Sequence, residues 1–316
     1  MAGSLIIGGA GFVGSHLSKA LIGRGERPVA VVKPTTNTSL LQALAPNAEI
    51  RRIAPDDLAA LAELFDEKQP EIVYYVAANP RATGATIFDE VDQHLKPALM
   101  QLLTALRAAS EAKFPPRAFV RTGTLAEYGD APTPHSEEMR GIPSTIYGVS
   151  ALAGTRVLEV VDKALPFRVA NARLALVYGW GQSKKFLVPL MIDSFLRGDE
   201  VTINDPDAVR DLIHVEDVCE ALIALGQTPN ETPGPINIGS GEALSMREAA
   251  EIILEAAGAP MNLVRYGDPS LTTGSRRLEV TTGRAAQLIG WRAKTPFRDG
   301  ARALVEKSRR EGAAQG

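Results

Sequence analysis

The run Leu5-Ile6-Ile7-Gly8-Gly9-Ala10-Gly11-Phe12-Val13-Gly14 decides how this chain folds. An apolar run at the start reads as a strand buried on both faces. Gly8, Gly11 and Gly14 then fall in a G-x-x-G-x-x-G spacing. Glycine suits a tight turn out of a strand, close approach of a backbone to a pyrophosphate, and close packing of the next helix on the sheet. Val13–Ile22 carries apolar residues at i, i+3 and i+4, so the turn opens a helix whose free N–H groups face the phosphates. Strand, glycine turn and helix in this order predict a dinucleotide site.

Working outward, short apolar runs at Pro28–Val32, Glu49–Ile53, Glu71–Ala77, Ala118–Thr122 and Arg168–Val177 alternate with helical patterns at Leu58–Phe65, Leu95–Ala109 and Leu152–Ala164. Such alternation predicts an α/β fold, a doubly wound parallel sheet of Rossmann type. After Gly179 the texture changes to glycine- and proline-rich stretches around the helices Val188–Leu196 and Met246–Ala257, while 213–240 returns to the earlier style with Val215–Leu225 and Pro235–Ile238. The expected organisation is a dinucleotide-binding domain of 1–179 plus 213–240, a smaller substrate-binding lobe of 180–212 plus 241–307, and a solvated tail at 308–316. Ligands of open α/β sheets bind at the carboxyl ends of the strands, facing such a lobe.

The 316 residues are 45% hydrophobic and carry a formal net charge of −3. That balance suits a globular chain and lacks the basic footprint of a nucleic-acid binder. No apolar run approaches the roughly 18 residues of a membrane span, and the early strand and glycines leave no room for a signal peptide. A lone Cys219 cannot pair internally, which fits a reducing, cytoplasmic setting. His16, His94, His135 and His214 lack metal spacing, so no metal site is expected. Which dinucleotide is bound turns on the end of the second strand, where an acid would hold the ribose 2′-hydroxyl and repel a 2′-phosphate. The chain reads Val31-Val32-Lys33-Pro34-Thr35-Thr36-Asn37 there. With a cation and hydroxyls in place of an acid, NADP(H) is expected over NAD(H), which stays open.

These motifs, with several further ones, resemble the extended short-chain dehydrogenase/reductase family, the group of nucleotide-sugar epimerases, dehydratases and ketoreductases. The likeness runs through Val76-Ala77-Ala78, Thr122-Gly123-Thr124 before Tyr128-Gly129, Tyr147-Gly148-Val149-Ser150, Arg173-Leu174 leading to Val177-Tyr178-Gly179, Arg210-Asp211-Leu212-Ile213-His214-Val215, and Asn237-Ile238-Gly239-Ser240-Gly241-Glu242. The resemblance implies Tyr147 as the catalytic proton carrier and Thr124 as the hydroxyl holding the same substrate oxygen, with Thr122 as fallback. It implies a cofactor held by Gly8, Gly11, Phe12, Val13, Gly14, Lys33, Ala77, Ala78 and Tyr147. Arg210, with Arg276 or Arg277, would reach a nucleotide-sugar; arginine suits phosphate because its planar fork pairs bidentately. A homodimer through the helices Leu95–Ala109 and Leu152–Ala164 is implied as well.

The departures carry as much information. The family pattern is Tyr-x-x-x-Lys, and here Ala151 stands where the lysine belongs. Without that ammonium, Tyr147 should keep its proton at neutral pH. A protonated phenol still donates during ketone reduction but is a poor base for alcohol oxidation. Three readings of Ala151 stay open: a cation supplied from elsewhere, such as Lys184 or Lys185; a deliberate substitution; or a protein that binds its ligand without turnover. Leu125 and Ala126 replace the acid pair of dehydratases, with Glu127 out of place, so elimination lacks its proton donor and acceptor. Leu176 stands where a polar contact to nucleotide-sugars is common. The expected function is NADP(H)-dependent reduction of a keto group on a nucleotide-linked deoxysugar or related carbonyl compound. The alternatives are a nucleotide-sugar 4-epimerase with tightly held NAD and a non-catalytic binding relative.

Overall fold

A computed structural model describes residues 3–78, 86–271 and 274–315, with side chains to residue 312. The first half lays down β1 (Ser4–Ile7), α1 (Phe12–Gly23), β2 (Val29–Val32), α2 (Ser39–Leu44), β3 (Glu49–Arg52), α3 (Leu58–Lys68), β4 (Ile72–Tyr75), α4 (Ile87–Glu111), β5 (Ala118–Thr124), α5 (Ile146–Val161) and β6 (Arg168–Leu174). The second half adds β7 (Leu176–Tyr178), α6 (Leu187–Arg197), β8 (Val201–Ile203), β9 (Val209–His214), α7 (Val215–Gln227), β10 (Pro235–Ile238), β11 (Ala243–Ser245), α8 (Met246–Ala257), β12 (Val264–Tyr266), β13 (Arg277–Leu278), α9 (Gly283–Ile289) and α10 (Phe297–Gln315).

Seven strands form one parallel sheet in the order β10-β6-β5-β4-β1-β2-β3. The order reverses between β1 and β4, the position at which open α/β sheets bind ligands beyond the strand C-termini. β1, β2, β4 and β10 are buried along their whole length, which is why their sequences run apolar without alternation. One face packs α1 and α7 through Leu17, Leu21, Val218 and Leu222; the other packs α3, α4 and α5 through Leu61, Leu106 and Leu158. A separate core gathers Val188, Ile192, Phe195, Ile253, Leu254 and Val305 from α6, α8 and α10.

Three expected elements differ in the structure. The apolar run Arg168–Val177 is two strands: Leu174 still pairs with Thr124 of β5, but Leu176–Tyr178 pairs with β9 in a second sheet. Hydrophobic continuity cannot show where a chain changes sheets, because both strands are apolar. α4 begins at Ile87, well before Leu95. A capping box joins Thr86 and Asp89 and fixes that start, and Pro97 lies inside the helix. Pro97 removes only one ladder bond, and Ile87, Val91 and Leu95 continue the apolar period across the helix start that the sequence reading placed at Leu95. The tail expected from Ser308 is helical as far as Gln315, with Lys307 seated over the Trp180 ring at 3.6 Å and Arg309 donating to the Ala257 carbonyl. Gly316 lies outside the described residues.

Candidate active site

The glycine turn is set by backbone crowding. Gly8 has φ of +90°, and a Cβ there would lie 2.8 Å from the Ala77 backbone. At Gly14 it would lie 2.5 Å from the Gly8 carbonyl oxygen. The Gly8 and Gly9 N–H groups donate to the Val31 carbonyl at 3.0 and 3.2 Å, which ties the turn to β2. α1 then starts at Phe12 with no side-chain cap and no acid in its first turn, so its first N–H groups and positive dipole end remain available to an anion. Ala77 and Ala78 follow β4 beside this turn, and Lys33 follows β2 and is exposed. Arg52 at the end of β3 donates to the carbonyls of Pro34 and Thr36 at 2.9 and 3.1 Å, bringing a second cation to the loop after Lys33. These features fit the pyrophosphate of a dinucleotide: a cradle that any side chain would fill, below an uncapped helix start.

The residues expected to transfer the proton lie two strands away. Thr145 caps α5 by accepting from the Gly148 N–H at 3.1 Å, which sets Tyr147 in the first turn, half-buried and beside the Thr124 side chain at the end of β5. Thr122 donates instead to the Tyr75 carbonyl at 3.5 Å, so Thr124 is the hydroxyl brought to Tyr147. Burial pushes the Tyr147 phenol above its ordinary value; the Thr124 hydrogen bond opposes this, Glu127 adds to it, and Arg121 opposes it. Burial therefore favours the protonated phenol. The His94 ring lies 5.9 Å from the Tyr147 ring.

Glu127 is fully buried and is no free acid. Its carboxylate takes Arg173 Nε at 2.8 Å, the Thr155 hydroxyl at 2.7 Å and the Thr124 N–H at 3.2 Å. Arg173 also stands over the Tyr128 ring at 4.5 Å. With Leu125 and Ala126 beside it, the turn offers no proton donor or acceptor for elimination. Lys184 is 70% exposed and bound to Asp193, and Lys185 is exposed as well. Sequence reasoning missed this buried network and the buried Arg121 next to it. The available signal was a charged residue inside the apolar strand Ala118–Thr122.

On the lobe side, β13 lies parallel to β9, with Leu278 opposite Arg210. Arg210 donates to the Val209 and Arg276 carbonyls, each at 2.8 Å. Arg276 holds Asp205 with two bonds of 2.8 Å while 62% of its side chain stays exposed. Arg277 pairs with Glu279. Asp211 is occupied by Ser240 and Gly241, and Asp217 by the backbone of Lys294 and Thr295; neither braces Arg210. Among the described residues, no three His, Cys, Asp or Glu side chains are placed to hold a metal, and no helix is long and apolar enough to cross a membrane.

A family model described as the NAD dependent epimerase/dehydratase family matches residues 4–239. The chain is 26% identical over 314 residues to a dTDP-6-deoxy-L-talose 4-dehydrogenase (NAD(P)(+)) of Kitasatospora kifunensis, covering 95% of this chain and 93% of that one. Its fold superposes on the UDP-glucose 4-epimerase of Thermotoga maritima with UDP-glucose, at a TM-score of 0.85 and 25% identity over 98% of this chain and 99% of that one. A UDP-glucose 4-epimerase of Thermus thermophilus complexed with NAD gives 0.84 and 26%, over 97% and 98% of the two chains.

Proposed function

The chain belongs to the NAD dependent epimerase/dehydratase family, and from that premise we propose that it is an NAD(H)-dependent oxidoreductase acting at a hydroxyl-bearing carbon of a nucleotide-activated sugar, as a 4-epimerase. The observation that carries this is the Tyr147–Thr124 pair at the end of β5, in the same sheet as the glycine turn, together with near-complete coverage of 4-epimerase folds. When bound, the nicotinamide cofactor supplies hydride exchange with that carbon. Gly8, Gly11, Phe12, Val13 and Gly14 would hold its pyrophosphate, with Ala77, Ala78 and Lys33 completing the residues that would bind it. Tyr147 carries the proton of the sugar oxygen, and Thr124 fixes that oxygen by a hydrogen bond. Arg210, Arg276 and Arg277 reach the nucleotide diphosphate from the lobe.

One observation favours a second reading, one-way reduction of a keto sugar with NADP(H). A phenol held protonated donates readily and accepts poorly, and Lys33 with Arg52 suits a 2′-phosphate. The relative named as a 4-dehydrogenase (NAD(P)(+)) is in keeping with it. In either reading the protein works in the cytoplasm as a homodimer. Phe88 and Met100 on α4 and Val160 on α5 are 77%, 58% and 79% exposed, and a second copy would cover such apolar side chains.

Incubation with UDP- and dTDP-hexoses and either cofactor tests this. A C4-inverted sugar with no net change in cofactor supports the epimerase. Net oxidation of NADPH by a 4-keto sugar supports the reductase. Cofactor binding with no turnover of any such sugar overturns both and leaves a binding protein. Tyr147→Phe lowers whichever rate is found by about 10²–10⁴-fold.

A further inference from the structure

Position 151 lacks an ammonium, but a different cation reaches the same turn of α5. Arg121 lies in the middle of β5, on the face covered by α5, and is 6% exposed. Its Nη2 donates to the Ala151 carbonyl at 2.8 Å, and its Nη1 donates to Thr155 Oγ1 at 3.1 Å and Asn171 Oδ1 at 2.9 Å. All three acceptors are neutral. The helix is shaped to admit the guanidinium: a Cβ on Gly154 would lie 2.5 Å from Nη2 and 2.9 Å from Cζ. Gly154 leaves room for Arg121, and Thr155 and the Ala151 carbonyl bind it, along the helix that carries Tyr147 in its first turn.

The balance of charge points the same way. Among the described residues, the charged side chains enclosed beneath the site are Arg121, Arg173 and Glu127, and Glu127 is ion-paired to Arg173. Arg121 is left as one unbalanced positive charge. Burial disfavours that charge, and Glu127 is the leading group that helps to hold it. The groups that face Tyr147 among the described residues are His94 from α4, Arg121 from β5, Glu127 from the turn after it, and Arg173 behind Glu127 on β6.

We propose that Arg121 is the positioning cation of the Tyr147 site, supplying from β5 the positive charge that a lysine at residue 151 would supply from α5. It pins the Tyr147–Ala151 turn against the sheet through the Ala151 carbonyl, and its field favours the phenolate against the effects of burial and Glu127. This deepens the reading above and rests on the role given there to Tyr147.

Ionisation of residue 147 tests this without any substrate, so failure here is separable from failure of the functional reading. Difluorotyrosine is incorporated at position 147 and its titration followed by fluorine NMR in the full-length protein. Arg121→Met is expected to raise the midpoint by about one pH unit or more, and Ala151→Lys added to Arg121→Met is expected to bring it back. Arg121→Gln, which keeps hydrogen bonding without charge, is the second variant should methionine prevent folding. A native midpoint in either folded variant overturns the proposal. Ala151→Lys alone should move the midpoint less than it does in the Arg121→Met background; equal movements overturn it as well.

Discussion

The turn from β1 into α1 and the junction of β5 with α5 sit in the same sheet, yet they are built on different principles. At the first, the limit is space. A Cβ on Gly8 or Gly14 would press on backbone that cannot move, so the residue type is dictated by close backbone neighbours and the pattern is visible along the chain. At the second, the limit is charge. Arg121 meets Thr155 and Asn171, 34 and 50 residues on, and Glu127 meets Arg173 at a separation of 46. These residues are far apart along the chain and form one connected set only in the fold. Steric rules tolerate no exchange of partners, whereas a buried charge can move to another strand if its acceptors move with it.

Breaking the charged junction should have the larger effect. Glu127→Gln leaves Arg173 buried without its counter-charge, an arrangement that costs about 3–5 kcal/mol. We expect a drop in melting temperature of roughly 10 °C, followed by circular dichroism. A fall of only a degree or two would mean that solvent reaches this network, and the contrast with the glycine turn would fail. Gly14→Ala tests the other side. The added methyl overfills the turn by an amount worth about 1–3 kcal/mol, and cofactor affinity should fall about tenfold or more in titration calorimetry. An unchanged affinity would show that the turn is not the pyrophosphate cradle.

The smallest effect comes from pH and reports on both regions. His16 in α1 donates to the Trp180 carbonyl at 2.8 Å, and His135 stacks on Tyr128 with ring centroids 4.7 Å apart. Burial lowers the pKa of each below the ordinary imidazole value. The unfolded chain therefore binds more protons than the native one as pH falls through about 6.5, and stability declines below that point until the folded imidazoles also protonate. Melting temperature should fall between about pH 7 and pH 5.5, by roughly 2–4 °C for each kcal/mol of stability lost. His16→Gln should flatten the part of the curve due to the glycine-turn region and His135→Gln the part due to the charged junction. A curve unchanged by both substitutions would remove these histidines from the account.

Much of the molecule was legible before its structure. The run Leu5–Gly14 placed strand, turn and helix at nearly the residues observed, because backbone sterics act locally. Thr124 and Tyr147 were placed by motif, and the fold brings them side by side. The sheet change after Leu174 was not legible, since both strands are apolar and only their hydrogen-bond partners differ. Nor was the compensation for Ala151: Lys184 and Lys185 stood out as cations, but Lys184 is bound to Asp193 at the surface, while Arg121 was passed over inside a strand. By itself the sequence determined the parallel sheet, the dinucleotide turn and the absence of a lysine one helical turn after Tyr147. Only the tertiary structure decided which buried cation lies beside that turn. Periodicity and turn chemistry act over a few residues, whereas the pairing of buried charges depends on which strands and helices the fold brings side by side.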